Sequence, residues 1–250
     1  VGVFNLPVTY PPKAINRYMV SGFPTPNPRT NAITYPRKLQ AELVENSFGL
    51  KAYVVDIMQV FSAEILNWGI QEMAKWNRFA GRANPEQLMD AIETLTRHKL
   101  EVALRLRTRY PTEVQMVQFA FLDRVGHLFG FYEHSPEITR RFYGLVDELV
   151  GALTAEEPGL VVVASDHGFA ERDHLQEGTV IISGDVIVPD HEISARIVDI
   201  LPTMLYALDL PLPVKPPALD GRVLYHAFRE QQVGEDEEIA EQLRALGYIE

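Results

Sequence analysis

The sequence predicts an α/β fold built on a mostly parallel sheet with helices packed against it. Three observations carry this reading. Two short apolar runs, FAFL (119–122) and LVVVA (160–164), are rich in Val, Phe and Leu and read as buried strands. A helix-patterned span lies between them, giving a strand–helix–strand rhythm from Val114 onward. A crossover of that length implies a right-handed βαβ unit and a parallel sheet.

The elements follow in order. Residues 1–36 hold seven of the seventeen prolines, which excludes a helix there. Short extended pieces, Gly2–Leu6 and Tyr18–Ser21, are expected between loops. Pro36 starts a helix to about residue 47. Residues 59–109 form the longest helical stretch: Met73, Trp76 and Phe79 share one spacing, as do Leu88, Ile92 and Leu95. Asn84 before Pro85 reads as a cap followed by a first-turn proline. Val114–Leu122 is strand-like. Ser135-Pro136-Glu137 opens a helix with Ile138, Phe142, Leu145, Val146, Leu149 and Val150 on one face. Leu160–Ala164 is the next strand. Gly178–Val188 reads as a hairpin turning at Ser183-Gly184-Asp185. Asp199 caps a helix to about Leu208, and a Pro-rich connector at 211–217 leads to two final helices.

Composition narrows the function classes. At 250 residues and 46% hydrophobic content, the chain can bury a sizeable core. Its net charge of −11 argues against a nucleic-acid-binding surface. Residues 230–250 supply −6 of that charge, so the remainder is only mildly acidic. No apolar stretch approaches the ~18 residues that span a bilayer. There is no cysteine, which excludes thiolate metal sites. The compartment stays open, with a slight lean toward the cytoplasm.

Chemistry concentrates at two pairs. Asp123 and His127 follow the first strand-like run, and Asp166 and His167 follow the second. Ligands in open α/β sheets bind at the carboxyl edge of the strands. Carboxylate with imidazole suits zinc, manganese or iron. The i, i+4 spacing of Asp123 and His127 puts both on one face if the chain turns helical. Gly168 allows close backbone approach after the second pair. Together the pairs form a candidate two-metal site. His98 and His226, in helical patterns, and His134, in a loop, read as packed or solvated side chains.

These residues carry a resemblance. PVTYPP (7–12), MVSGFPTP (19–26), TYPRKL (34–39), FLDRVGH (121–127), ASDHGF (164–169), HLQEG (174–178), VDILPTMLYALDLPLP (198–213) and DGRVL (220–224) are quoted as they stand. The chain resembles the alkaline phosphatase superfamily, in its type I phosphodiesterase / nucleotide pyrophosphatase branch. The ending EEIAEQLRALGYIE (237–250) resembles that superfamily as well. The resemblance implies a three-layer α/β/α fold and a single metallohydrolase domain over 1–250, with a helical insertion at 48–113. It implies two divalent metal ions, zinc or else manganese, and a small phosphorylated substrate. Asp123, His127 and His174 would hold one ion, with Gly178 opening a strand beyond His174; His191 is the weaker rival. Asp166 and His167 would hold the other.

Departures from the pattern matter. The resemblance implies a further Asp ligand and a Thr or Ser nucleophile, both placed before PVTYPP. They are therefore expected on a segment that precedes Val1, and these 250 residues alone are expected to be nearly inactive. Thr9 reads as a loop hydroxyl and Thr203 lies on the DILPT helix. Arg17 stands where the family commonly has glycine. Sulfate-ester hydrolysis or phosphotransfer on the same scaffold, and a non-catalytic metal-binding module, are the alternatives.

Overall fold

The computed structural model describes residues 1–22, 31–44, 85–130, 136–156, 158–170, 173–213 and 219–229. The Trp68 and Trp76 region, the Asn84 cap, Ser135, His134 and the acidic tail lie outside the described residues. Two compact units emerge. The first is Val1–Leu153 with Glu171–Asp173, and the second is Thr154–Ala170 with His174–Glu250. Among the described residues, no helix is long and apolar enough to cross a membrane.

The first unit is built on a four-stranded sheet. Its strands are β1 (Gly2–Phe4), β2 (Tyr18–Val20), β3 (Thr34–Tyr35) and β4 (Gln115–Val117), in the order β3-β2-β1-β4. β1 pairs in parallel with both β2 and β4, whereas β3 is antiparallel to β2. The fold is thus mixed α/β with a parallel-containing sheet. Helices α1 (Lys38–Val44) and α2 (Pro85–Arg109) supply Leu39, Leu43, Val102, Ala103 and Leu106 to a core with Phe4, Tyr18 and Val20. Tyr18 is fully buried, so its hydroxyl needs a partner, and Gln115 Nε2 donates to it at 2.9 Å. Burial of the phenol pushes its pKa up.

Two further helices complete this unit, α3 (Phe121–Phe129) and α4 (Pro136–Thr154). α4 buries Phe142, Leu145 and Leu149, three positions of the predicted stripe. Each is worth roughly 1.5–3 kcal/mol of apolar burial. Arg141, on the same helix, pairs with Glu86, Asp90 and Glu93 of α2.

The second unit holds β5 (Leu160–Ala164), β6 (Gly168–Ala170), β7 (Asp173–Leu175), β8 (Val180–Gly184) and helix α5 (Ile200–Ala207). β5 pairs antiparallel with β8 along its whole length, and β6 pairs with β7. Ile187, Val223, Leu224, Ala227 and Phe228 form its core.

Several expectations are corrected. The strand expected over Val114–Leu122 is only Gln115–Val117, because Phe121 and Leu122 begin α3 and Phe121 is buried on its inner face. Among the described residues the ladder partner of β5 is β8, antiparallel and not parallel, reached through the short connection that contains β6 and β7. Gly178–Val188 is no hairpin. Ile187 N–H closes a turn to Gly184 O, and the chain then bridges to Phe228. After Gly221 the described chain makes a 3-10 turn, Tyr225–Ala227, where a helix was expected. Asp199 stands at the start of α5, but its carboxylate makes no cap bond to that helix. It accepts instead from Arg196 and from Arg222 N–H at 2.9 Å.

Candidate metal centre

In the first unit, β4 runs parallel to β1, and the chain leaves it through Gln118 to enter α3. The exit is pinned. Asn5 Nδ2 donates to both Gln118 O (2.9 Å) and Gln118 Oε1 (3.0 Å), and Gln118 N–H donates to Phe4 O at 3.2 Å. α3 therefore starts beside the carboxyl ends of two parallel strands, the edge where α/β sheets bind ligands. Phe121, Val125 and Gly126 are buried, which turns the opposite helix face outward. Asp123 and His127 share that face, four residues apart. Asp123 Oδ1 and His127 Nε2 lie 3.4 Å apart, with side chains 41% and 48% exposed. Both pair members sit on a helix and not directly on a strand end. Asp123 is in the first turn, where the helix dipole favours a carboxylate.

In the second unit, Ser165 follows β5 and clamps the next turn. Ser165 N–H donates to Thr179 O at 2.8 Å, and Ser165 Oγ accepts from Thr179 N–H at 2.8 Å. Gly178 makes this close pass possible: a Cβ there would lie 2.2 Å from Ser165 O. Asp166 emerges from the turn with its side chain 78% exposed, 3.8 Å from His167 Nε2. His167 is better buried. Its Nδ1 lies 3.1 Å from Gly168 O. A carbonyl only accepts, so this contact is a hydrogen bond in the tautomer that carries its proton on Nδ1.

His174, on β7, comes to the same place. Its ring stacks on His167 with centroids 3.8 Å apart and planes at 21°. Buried Phe169 meets both edge-on, at 5.3 Å from His167 and 5.1 Å from His174. The pairing of β6 with β7 brings the three rings together. His191 goes elsewhere in this unit: its ring faces His226 at 5.8 Å.

Each unit by itself offers donors that suit a hard or borderline divalent cation: the Asp123 carboxylate and His127 imidazole in the first, and the Asp166 carboxylate with the His167 and His174 imidazoles in the second. The two threonines considered as hydroxyl donors are occupied. Thr9 Oγ1 donates to Leu6 O (2.7 Å) and accepts from Gly22 N–H (3.0 Å). Thr203 Oγ1, buried, donates to Asp199 O (2.6 Å) and accepts from Leu224 N–H (3.1 Å).

Sequence reasoning missed the Asn5–Gln118 clasp and the ring role of Phe169. Phe169 was visible as the last residue of SDHGF, but a single apolar residue after a turn carries no positional signal.

Comparison with known families matches residues 8–204 to the type I phosphodiesterase / nucleotide pyrophosphatase family. No curated protein and no solved structure matches the chain.

Proposed function

Because the chain belongs to the type I phosphodiesterase / nucleotide pyrophosphatase family, we propose that it serves metal-dependent hydrolysis of phosphodiesters or nucleotides through a two-metal centre. In this reading both units belong to one metallohydrolase domain of three-layer α/β/α type. Asp123, His127 and His174 hold one divalent ion, and Asp166 and His167 contribute to the second. Zinc is the first choice of ion, with manganese as the alternative.

The observation that carries the reading is the His167–His174 stack beside the exposed Asp166 carboxylate. Bound there, paired divalent ions would polarise a phosphoryl oxygen and stabilise both the attacking and the leaving oxygens. The protein's own part is positional. The Gly168 carbonyl holds the His167 tautomer, Phe169 fixes the planes of both rings, and the Ser165–Thr179 clamp sets the turn that presents Asp166. The nucleophile of this reading is a Thr or Ser hydroxyl other than Thr9 and Thr203, whose protons are donated to the backbone carbonyls of Leu6 and Asp199.

The test is hydrolysis of bis(4-nitrophenyl) phosphate by the protein with zinc or manganese. An aryl sulfate serves as the competing substrate. The reading expects turnover of the phosphodiester that chelation and Asp123→Asn both abolish. Preference for the sulfate ester, or turnover indifferent to chelation, would overturn it.

A further inference from the structure

The second unit holds a further pair of histidines that the candidate centre does not use. His191 lies in the segment after β8, and His226 on the Tyr225–Ala227 turn. They are distant in sequence, yet their rings meet with centroids 5.8 Å apart and planes at 69°. The framework beneath them is fixed. Ile187 bridges Phe228, Val188 N–H donates to Ala227 O, and Arg229 N–H donates to Val186 O, both at 2.9 Å. Arg229 Nε adds a bond to Ile187 O at 3.1 Å. Ile187, Ala227 and Phe228 are buried in the core of this unit. Two backbone segments are thus held together before any ligand arrives, which lowers the entropy cost of binding.

The rings themselves are exposed and stand outside that core, so packing does not account for their approach. Their spacing suits a shared ion. An ion bonded to one nitrogen of each imidazole at ~2.0–2.1 Å holds the two ring centroids roughly 4.5–5.5 Å apart. Small rotations of two exposed side chains close the observed 5.8 Å to that range. Imidazole is a ligand for zinc, copper and nickel. Asp190 and Glu192, both exposed, flank His191 in sequence and bring negative charge to the neighbourhood of a cation.

We propose that His191 and His226 chelate one late divalent transition ion, of the copper, nickel and zinc class, at the surface of the second unit. Copper(II) binds most tightly of the three at such a site. Among the described residues no third histidine or carboxylate converges with the pair, so solvent completes the coordination sphere. The site stands on its own geometry, shares no residue with the candidate metal centre and does not depend on the hydrolase reading.

The experiment is equilibrium dialysis of the full chain against buffered free copper(II), with the bound ions counted per chain. A single remaining imidazole should bind about 100-fold more weakly than the chelating pair. At a free copper level that fills the pair, His191→Ala and His226→Ala should therefore each bind one ion fewer than the parent. The double variant should also bind one ion fewer, not two, because the two rings share one ion. His98→Ala is the control and should leave the count unchanged. Both side chains are exposed, so the metal-free variants should melt with the parent; His191→Gln and His226→Gln, which keep a polar surface, should repeat the loss. An unchanged count in either single variant, or a loss of two ions in the double variant, would overturn the proposal.

Discussion

The imidazoles of His167 and His174 stack with centroids 3.8 Å apart, and Phe169 stands edge-on to both. The two histidines are seven residues apart in sequence, so neither a helix nor a strand period pairs them. The β6–β7 ladder does. Phe169 acts on the site only through these rings, as a positioning residue. Phe169→Leu keeps most of the buried volume but removes the edge contacts. Zinc affinity should fall by about 10-fold, the scale of outer-shell losses at metal sites. Circular dichroism should be unchanged. Unaltered zinc affinity would show that the aromatic edge has no part in holding the rings.

Gly178 offers a backbone test of the same turn. An alanine Cβ would sit 2.2 Å from Ser165 O, which is a backbone atom and cannot rotate away. Gly178→Ala should push the 165–167 segment off its position and break the Ser165–Thr179 pair of bonds. We expect a lower Tm together with weaker metal binding. Gly144 is the control: a Cβ there meets nothing within 4 Å, and it lies inside α4. Gly144→Ala should raise stability by roughly 0.5–1 kcal/mol and leave metal binding alone.

Asp199 ties stability to pH. The Arg196 guanidinium, followed by the backbone N–H groups of Arg196 and Arg222, holds its carboxyl well below the usual carboxylate range. A depressed folded-state pKa contributes stability that is present above the unfolded value of about 3.9 and is lost as pH falls through the folded value. Asp199→Asn keeps the shape but loses the charge and turns one acceptor into a donor facing N–H groups. Its Tm should lie below the parent's at pH 7, with the gap closing toward pH 2. A gap that stays constant across this range would show that the effect is steric.

Much of this was legible in the sequence, for identifiable reasons. Leu160–Ala164 is a strand because five apolar or small residues are bounded by Pro158-Gly159 and a polar turn. α4 was legible because its apolar stripe keeps helical spacing over several turns. FAFL misled because a short apolar run fits a strand and a buried helix start equally well. Phe121 is buried from the helix, and the strand had ended at Val117. The hairpin at 178–188 misled because a turn does form there, between Gly184 and Ile187, but the chain beyond it bridges to Phe228, some forty residues on. Such a long-range choice leaves no local trace.

The central claim is that the two acid–histidine pairs and His174 are metal ligands. Calorimetric titration of the 250-residue chain with zinc tests it most directly. The account predicts one tight zinc ion per chain, held by three ligands. Asp123→Asn, His127→Ala and His174→Ala should each abolish it, and His191→Ala should leave it intact. Asp166→Asn and His167→Ala should spare that ion and remove weaker binding of a second. Equal zinc affinity in the parent chain and in the Asp123→Asn and His174→Ala variants would contradict the account.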